Sequence, residues 1–142
     1  MQLYQYKCKV VNIVDGDTID VDIDLGFGVW LQNERVRLEG IDCPEVRTRD
    51  LTEKVFGNAA TQRVVQYFEN ATDIILVSKA FKGKFGRILG DFQTSSSPET
   101  SLCQTLLNEH WAVVYSDDAE ERQRAHLANR EMLLAEGKVT LP

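Results

Sequence analysis

Three short stretches carry side chains able to act on a phosphodiester: Asp15 and Asp17 in DGDT, Arg37, Asp42 and Glu45 in VRLEGIDCPE, and Lys84 and Arg87 in KFGR. Carboxylates are hard oxygen ligands suited to Ca²⁺ or Mg²⁺, and guanidinium groups present paired donors that match phosphate oxygens. A phosphodiester carries one negative charge and gains a second as water adds, so donors fixed in place for that charge lower the barrier. A metal can screen one oxygen and hold the attacking water while a carboxylate outside its shell takes the proton. Taken singly, each stretch has a plainer reading. DGDT is an ordinary turn, KFGR starts a strand after a hairpin, and an arginine inside a strand is a surface partner. Their combination is the inventory of a phosphodiester-cleaving site.

The elements that must position these residues follow from periodicity. YKCKVVNIV, TIDVDIDL and VWLQNERVRLEGI read as three strands, the last two joined by the turn GFG, and together they make an antiparallel meander. In the second strand Ile19, Val21, Ile23 and Leu25 share one face, and Asp20, Asp22 and Asp24 share the other, a solvated face rather than a metal site. From Asp50 the period becomes helical, with Phe56, Ala60, Val64 and Phe68 in line and Asp50 and Glu53 spaced as a capping pair. DIILVSKAF, the turn KGK and FGRILGDF give a fourth and a fifth strand. A helix is expected to start at Ser97 and Pro98, with Leu102, Leu106 and Leu107 on its buried face. A last helix begins near Ser116 or Asp117 and stops at Gly137. Five short strands with a helix between the third and fourth predict an α+β, mainly β fold, a five-stranded Greek-key barrel of the OB type with three helices. An α+β sandwich with helices on one face is the alternative.

One local problem is geometric. Arg37 and Asp42 are five positions apart and would face opposite sides of a regular strand. A shared site therefore requires a bend between Glu39 and Ile41, where Gly40 supplies the freedom and Pro44 then blocks the ladder.

DGDT, VRLEGIDCPE and KFGR, in this order and on these elements, resemble the staphylococcal nuclease (thermonuclease) family from about Tyr6 to Tyr115, and the final helix fits in position. The resemblance implies that Asp17 and Asp42 bind Ca²⁺, aided by the backbone carbonyl of Cys43, with Asp15 and Thr18 shaping the metal loop. It implies that Glu45 activates water and that Arg37 and Arg87 hold the phosphate and stabilise the transition state. Lys84, Phe85 and Tyr115 fall near positions that contact nucleotide phosphate and base. The activity implied is Ca²⁺-dependent hydrolysis of single-stranded DNA and RNA to 3′-phosphate and 5′-hydroxyl ends. Cys43 stands where the founding member has threonine, and Phe85, in place of tyrosine, removes a phosphate donor but keeps a stacking face. A catalytically inactive nuclease-like module that binds nucleic acid or protein is the second reading. Against it, Asp17, Arg37, Asp42, Glu45 and Arg87 are all retained.

Composition sets limits. With 142 residues, 43% of them hydrophobic and 27% charged, residues 1–142 read as a single soluble domain, a monomer without an obligate protein partner. No apolar run suits a membrane span, and no signal peptide is visible. The expected location is therefore cytoplasmic, or secreted if a leader has been removed. Cys8, Cys43 and Cys103 form neither a disulfide framework nor a zinc motif, and neither His110 nor His126 stands in a partner position for a cysteine nucleophile. The net charge of −6 excludes capture of a polyanion by bulk charge and leaves local basic segments such as EVRTRD, a solvated loop or a phosphate-contacting arm. Trp30 and Trp111 read as core or core-edge residues, and the last helix, with Arg122, Arg124 and Arg130 among acids, as a wet face.

Overall fold

A computed structural model describes residues 4–80 and 86–142. The expected turn KGK, and with it Lys84 and Phe85, lies outside the described residues. The strands β1 (Gln5–Asp15), β2 (Thr18–Gly26) and β3 (Val29–Leu38) form the antiparallel meander, and β5 (Ile74–Ala80) and β6 (Ile88–Thr94) complete it. Their order is β1-β2-β3-β6-β5 in a closed barrel. Closure comes from antiparallel pairing of β1 with β5 and parallel pairing of β3 with β6. This is the expected five-stranded OB-type barrel, with three helices outside it. Closing the sheet removes the exposed edges that an open sheet of short strands would present.

The alternation in β2 works as expected at Ile19, Val21 and Ile23, all buried, whereas Leu25 emerges beside the turn of the β2–β3 hairpin. The three aspartates face outward and each has local work. Asp20 pairs with Arg35, Asp22 accepts from the Asn33 N–H, and Asp24 accepts from the Gly26 N–H. Trp30 departs from expectation. It sits on the outer barrel surface opposite Asp24, with Lys9 Nζ 5.0 Å from its ring centroid. Trp111 is buried as expected.

The first helix, α1 (Leu51–Phe68), is capped by Asp50, whose Oδ1 accepts from the Thr52 and Glu53 N–H groups at 3.0 and 3.1 Å. Phe56, Ala60, Val64 and Phe68 are buried against the barrel. Edge-to-face contacts run from Tyr67 to Phe68 and on to Phe92 at centroid distances of 5.4 and 5.3 Å. Fully buried rings such as Phe56 and Phe92 contribute about 2–3 kcal/mol each by transfer alone.

The second helix, α2 (Leu102–Asn108), starts four residues later than the Ser97-Pro98 signal. Ser97 instead closes a turn onto Thr94 O, and Ser101 caps the helix by accepting from the Gln104 N–H. Asp91 Oδ1 takes the Cys103 N–H at 3.0 Å and so fixes the start from outside the helix. The third strand ends at Leu38, at the expected bend. Ile41–Asp42 (β4) leaves the barrel and pairs with Val113–Val114 (β7), a two-residue strand without a sequence signal of its own. The last helix, α3 (Ala119–Ala135), is capped by Asp118 and stops at Gly137, with φ of 72°. No helix among the described residues is long and apolar enough to cross a membrane.

Candidate active site

The bend between β3 and β4 is where the expected site residues meet. Gly40 adopts φ of 80°, a left-handed conformation favoured by glycine, and the chain turns there between Leu38 and Ile41. Arg37 at the end of β3 and Asp42 in β4 are thereby brought to one side. Arg37 Nη2 lies 3.4 Å from Asp42 Oδ1, and Arg37 Nη1 lies 3.2 Å from Asp17 Oδ2. One guanidinium thus spans both carboxylates.

Asp17 is held by the turn that begins β2. Asp15 Oδ1 accepts from the Asp17 N–H at 3.1 Å, and Thr18 Oγ1 donates to Asp17 Oδ1 at 3.2 Å. The Cys43 N–H donates to Asp17 Oδ2 at 2.9 Å and ties this turn to the segment after Asp42. Gly16 permits that approach, since a Cβ there would stand 3.0 Å from Cys43 Cβ and Sγ. Asp17 is only 6% exposed. Burial pushes its pKa from 3.8 up to about 7, with Arg37 opposing the shift and Asp15 adding to it. A carboxyl so displaced is short of counter-charge. The Cys43 thiol is buried, and that burial, with Asp17 nearby, raises its pKa well above 9.0, so the sulfur is an inert packing group.

Glu45 is exposed at the mouth. Its pKa is raised from 4.5 by partial burial and then by the neighbouring Asp15, Asp42 and Glu53 carboxylates, with Arg37 opposing. Its backbone N–H donates to Glu53 Oε2 at 3.0 Å. Glu53 therefore does not return to the Asp50 N–H as a full capping box would; it holds the site loop on α1. Gly57 completes that contact. A Cβ at position 57 would strike the Glu45 carbonyl group, whose carbon would lie at 2.7 Å.

Arg87 precedes β6, one position before Ile88, which pairs with Val36. It lines two adjoining cavities. One, of about 400 Å³, is shared with Arg37, Gly40, Leu89 and Tyr115. The other, of about 330 Å³, is shared with Asp15, Thr18, Arg35 and Arg47. Tyr115 is anchored by its N–H to Gly40 O at 2.9 Å, and its half-exposed ring faces Arg122 at 5.3 Å. Arg47, from EVRTRD, is exposed in its loop and lines the second cavity. Lys84 and Phe85 are outside the described residues.

Two features were absent from the sequence reading. His126 Nε2 lies 2.8 Å from Asp42 Oδ2, so a histidine does stand in a partner position, though to a carboxylate and not to Cys43. It belongs to a stripe on α3 that also corrects the wet-face reading. Arg122 donates to Ser116 O, Asn129 donates to Ala112 O at 3.0 Å, Arg130 stands 5.3 Å from the Phe56 ring, and Leu133 is buried. Arg124 alone of the named arginines lies on the exposed face.

Asp17 and Asp42 are oxygen donors of the type hard cations take, and the unbalanced charge at Asp17 is what a cation would relieve. Among the described residues no three His, Cys, Asp or Glu side chains converge to hold a metal, so these two carboxylates would need water or backbone carbonyls beside them. The fit is to a hard, partly hydrated cation.

Barrel and site together define an OB-type domain with carboxylates and guanidinium groups gathered at one mouth. Comparison with known proteins is specific. The family described as Staphylococcal nuclease homologue matches residues 35–139, and the chain belongs to that family. The chain is 34% identical over 80 residues to the Thermonuclease of Staphylococcus intermedius, across 56% of this chain and 44% of that protein. It is 36% identical over 86 residues to Protein ParB of Escherichia coli, across 61% of this chain and 41% of that protein. The chain matches less than half the length of these curated relatives. It is a nuclease-like domain.

Proposed function

We propose that this domain is an active Ca²⁺-dependent nuclease that hydrolyses single-stranded DNA and RNA to 3′-phosphate and 5′-hydroxyl ends. The observation that carries the reading is the single guanidinium of Arg37 within 3.2 and 3.4 Å of two carboxylates, beside a cavity that Arg37 and Arg87 both line. Asp17 and Asp42, with the Cys43 carbonyl, would hold Ca²⁺, which when bound would supply a counter-charge for a phosphate oxygen and a site for water.

The chain's own groups account for the remaining chemistry. Glu45, outside the carboxylate pair and raised in proton affinity, accepts a proton from the attacking water. The water oxygen bonds to phosphorus, and the bond from phosphorus to O5′ breaks. The phosphate stays on the 3′ side, and O5′ takes a proton from solvent water and leaves as a hydroxyl. Arg37 and Arg87 present donors to the oxygens on which charge grows. Tyr115 offers a stacking face at the first cavity, with Lys84 and Phe85 assigned to the same substrate-binding role by family resemblance. Arg47 and Arg35 at the second cavity extend the phosphate track.

The test is cleavage of a labelled single-stranded oligonucleotide with Ca²⁺ and with EDTA, with product ends identified by mass. Ca²⁺-dependent products ending in 3′-phosphate are expected. Cleavage that survives chelation would refute the metal assignment, and binding without cleavage in Ca²⁺, Mg²⁺ or Mn²⁺ would favour an inactive nucleic-acid-binding module.

A further inference from the structure

His126 and Asp42 are 84 residues apart in sequence, yet they make the closest side-chain contact within the carboxylate cluster, Nε2 to Oδ2 at 2.8 Å. Both are sheltered, with side-chain exposures of 12% and 22%. A carboxylate oxygen accepts, so Nε2 is the nitrogen that carries the proton in this pair. The other oxygen of Asp42 has a longer contact to Arg37, at 3.4 Å.

The two contacts differ in kind. Arg37 contacts Asp42 through Oδ1 and reaches Asp17 with its other Nη. His126 reaches the opposite oxygen from α3. It therefore restrains the Asp42 carboxylate without occupying the oxygen that faces Arg37. The helix that carries it is itself fixed, through Asn129 to Ala112 O, Arg122 to Ser116 O and the buried Leu133. Asp42 in turn sits in β4, which pairs with β7 just ahead of α3. Helix, short sheet and carboxylate form one closed circuit.

We propose that His126 is a positioning residue for Asp42: it pins Oδ2, leaves Oδ1 on the side of Arg37, which also contacts Asp17, and so sets the affinity of the carboxylate pair for a divalent cation. The inference rests on the assignment of Asp17 and Asp42 as the Ca²⁺ ligands. Groups that orient a ligating side chain in this way, rather than touch the metal, typically change metal affinity by about 10–100-fold when removed. A histidine that only docked α3 would change stability alone.

The experiment is calorimetric titration of the purified protein with Ca²⁺, in wild type and in His126→Leu, His126→Asn and His126→Gln, with folding followed by circular dichroism. Gln can place its amide N–H near the position of Nε2, whereas Asn is too short and Leu has no donor. The Ca²⁺ affinity is expected to fall by about tenfold or more in His126→Leu and His126→Asn, and to return to within about threefold of wild type in His126→Gln. If His126→Leu fails to fold, the comparison of Asn with Gln carries the same contrast. Folded Leu or Asn variants that bind Ca²⁺ like wild type would overturn the inference while leaving the nuclease reading intact. A wild-type protein that binds no Ca²⁺ would overturn the cation assignment and this inference with it.

Discussion

Replacing Asp17 by Asn should stabilise the metal-free protein at alkaline pH and leave it nearly unchanged in acid. Folding raises the Asp17 pKa from 3.8 to about 7, so the folded protein binds this proton more tightly than the unfolded chain does. The stability linked to that proton is fully present below 3.8 and is lost as pH rises through about 7. Each tenfold in proton affinity corresponds to about 1.4 kcal/mol, so the roughly thousandfold difference sets a ceiling of about 4 kcal/mol. Asn can keep an oxygen toward the Cys43 N–H and Arg37, which share Oδ2, and then presents its amide to the Thr18 hydroxyl on the other side, a mismatch costing about 1 kcal/mol. The expected gain at pH 8 in EDTA is therefore about 2–3 kcal/mol, and near pH 4 it should vanish or turn slightly negative. At about 3 °C per kcal/mol for a chain of this size, the melting temperature at pH 8 should rise by about 6–9 °C. Thermal and urea unfolding at both pH values measure it directly. A variant no more stable than wild type at pH 8, or one stabilised equally at both pH values, would refute the claim that Asp17 is a buried charge that Arg37 compensates only in part. Saturating Ca²⁺ should reverse the order, because only the wild type gains the binding free energy.

Other substitutions probe the supports of the site. Gly57→Ala should displace the Glu45 loop from α1, lowering kcat by more than tenfold and stability by about 1–3 kcal/mol; an active, equally stable variant would show that the helix does not position Glu45. Arg47→Ala should weaken capture of single-stranded DNA and reduce the slope of log affinity against log salt by about 0.7, the value for one lost phosphate contact, and an unchanged slope would place Arg47 outside the substrate track. Phe92→Ala, which empties the centre of the barrel beneath Phe68, should cost about 3–5 kcal/mol in denaturant unfolding, and a loss below 1 kcal/mol would mean that the core collapses to refill the space.

The parts legible in the sequence are those set by local chemistry. Alternation placed Ile19, Val21 and Ile23 inside, and the spacing of Phe56, Ala60, Val64 and Phe68 marked the buried face of α1. The clash between a two-residue period and a shared site required a bend, and Gly40 with φ of 80° provides it. What escaped depends on partners distant in the chain. Ser97 and Ser101 are equally good caps, and the choice between them is made by Asp91, whose carboxylate meets the Cys103 N–H from β6. Gly57 looks like an ordinary weak helical residue until the carbonyl of Glu45 is packed on it. Trp30 reads as core or core edge, but its strand register turns it outward beside Lys9. The stripe containing His126 is polar, so hydrophobic periodicity did not mark it as the docked face of α3. It packs through hydrogen bonds and the cation–ring contacts of Arg122 and Arg130.

The most direct measurement is turnover of single-stranded DNA in Ca²⁺ by wild type, Glu45→Gln and Arg87→Ala, prepared and assayed side by side. Wild type should cleave, and each variant should lose about 10²–10³-fold in kcat while remaining folded by circular dichroism, the loss typical of removing one preorganised group. Cleavage by folded variants to within tenfold of wild type would contradict the account, because the activity would then belong to neither residue.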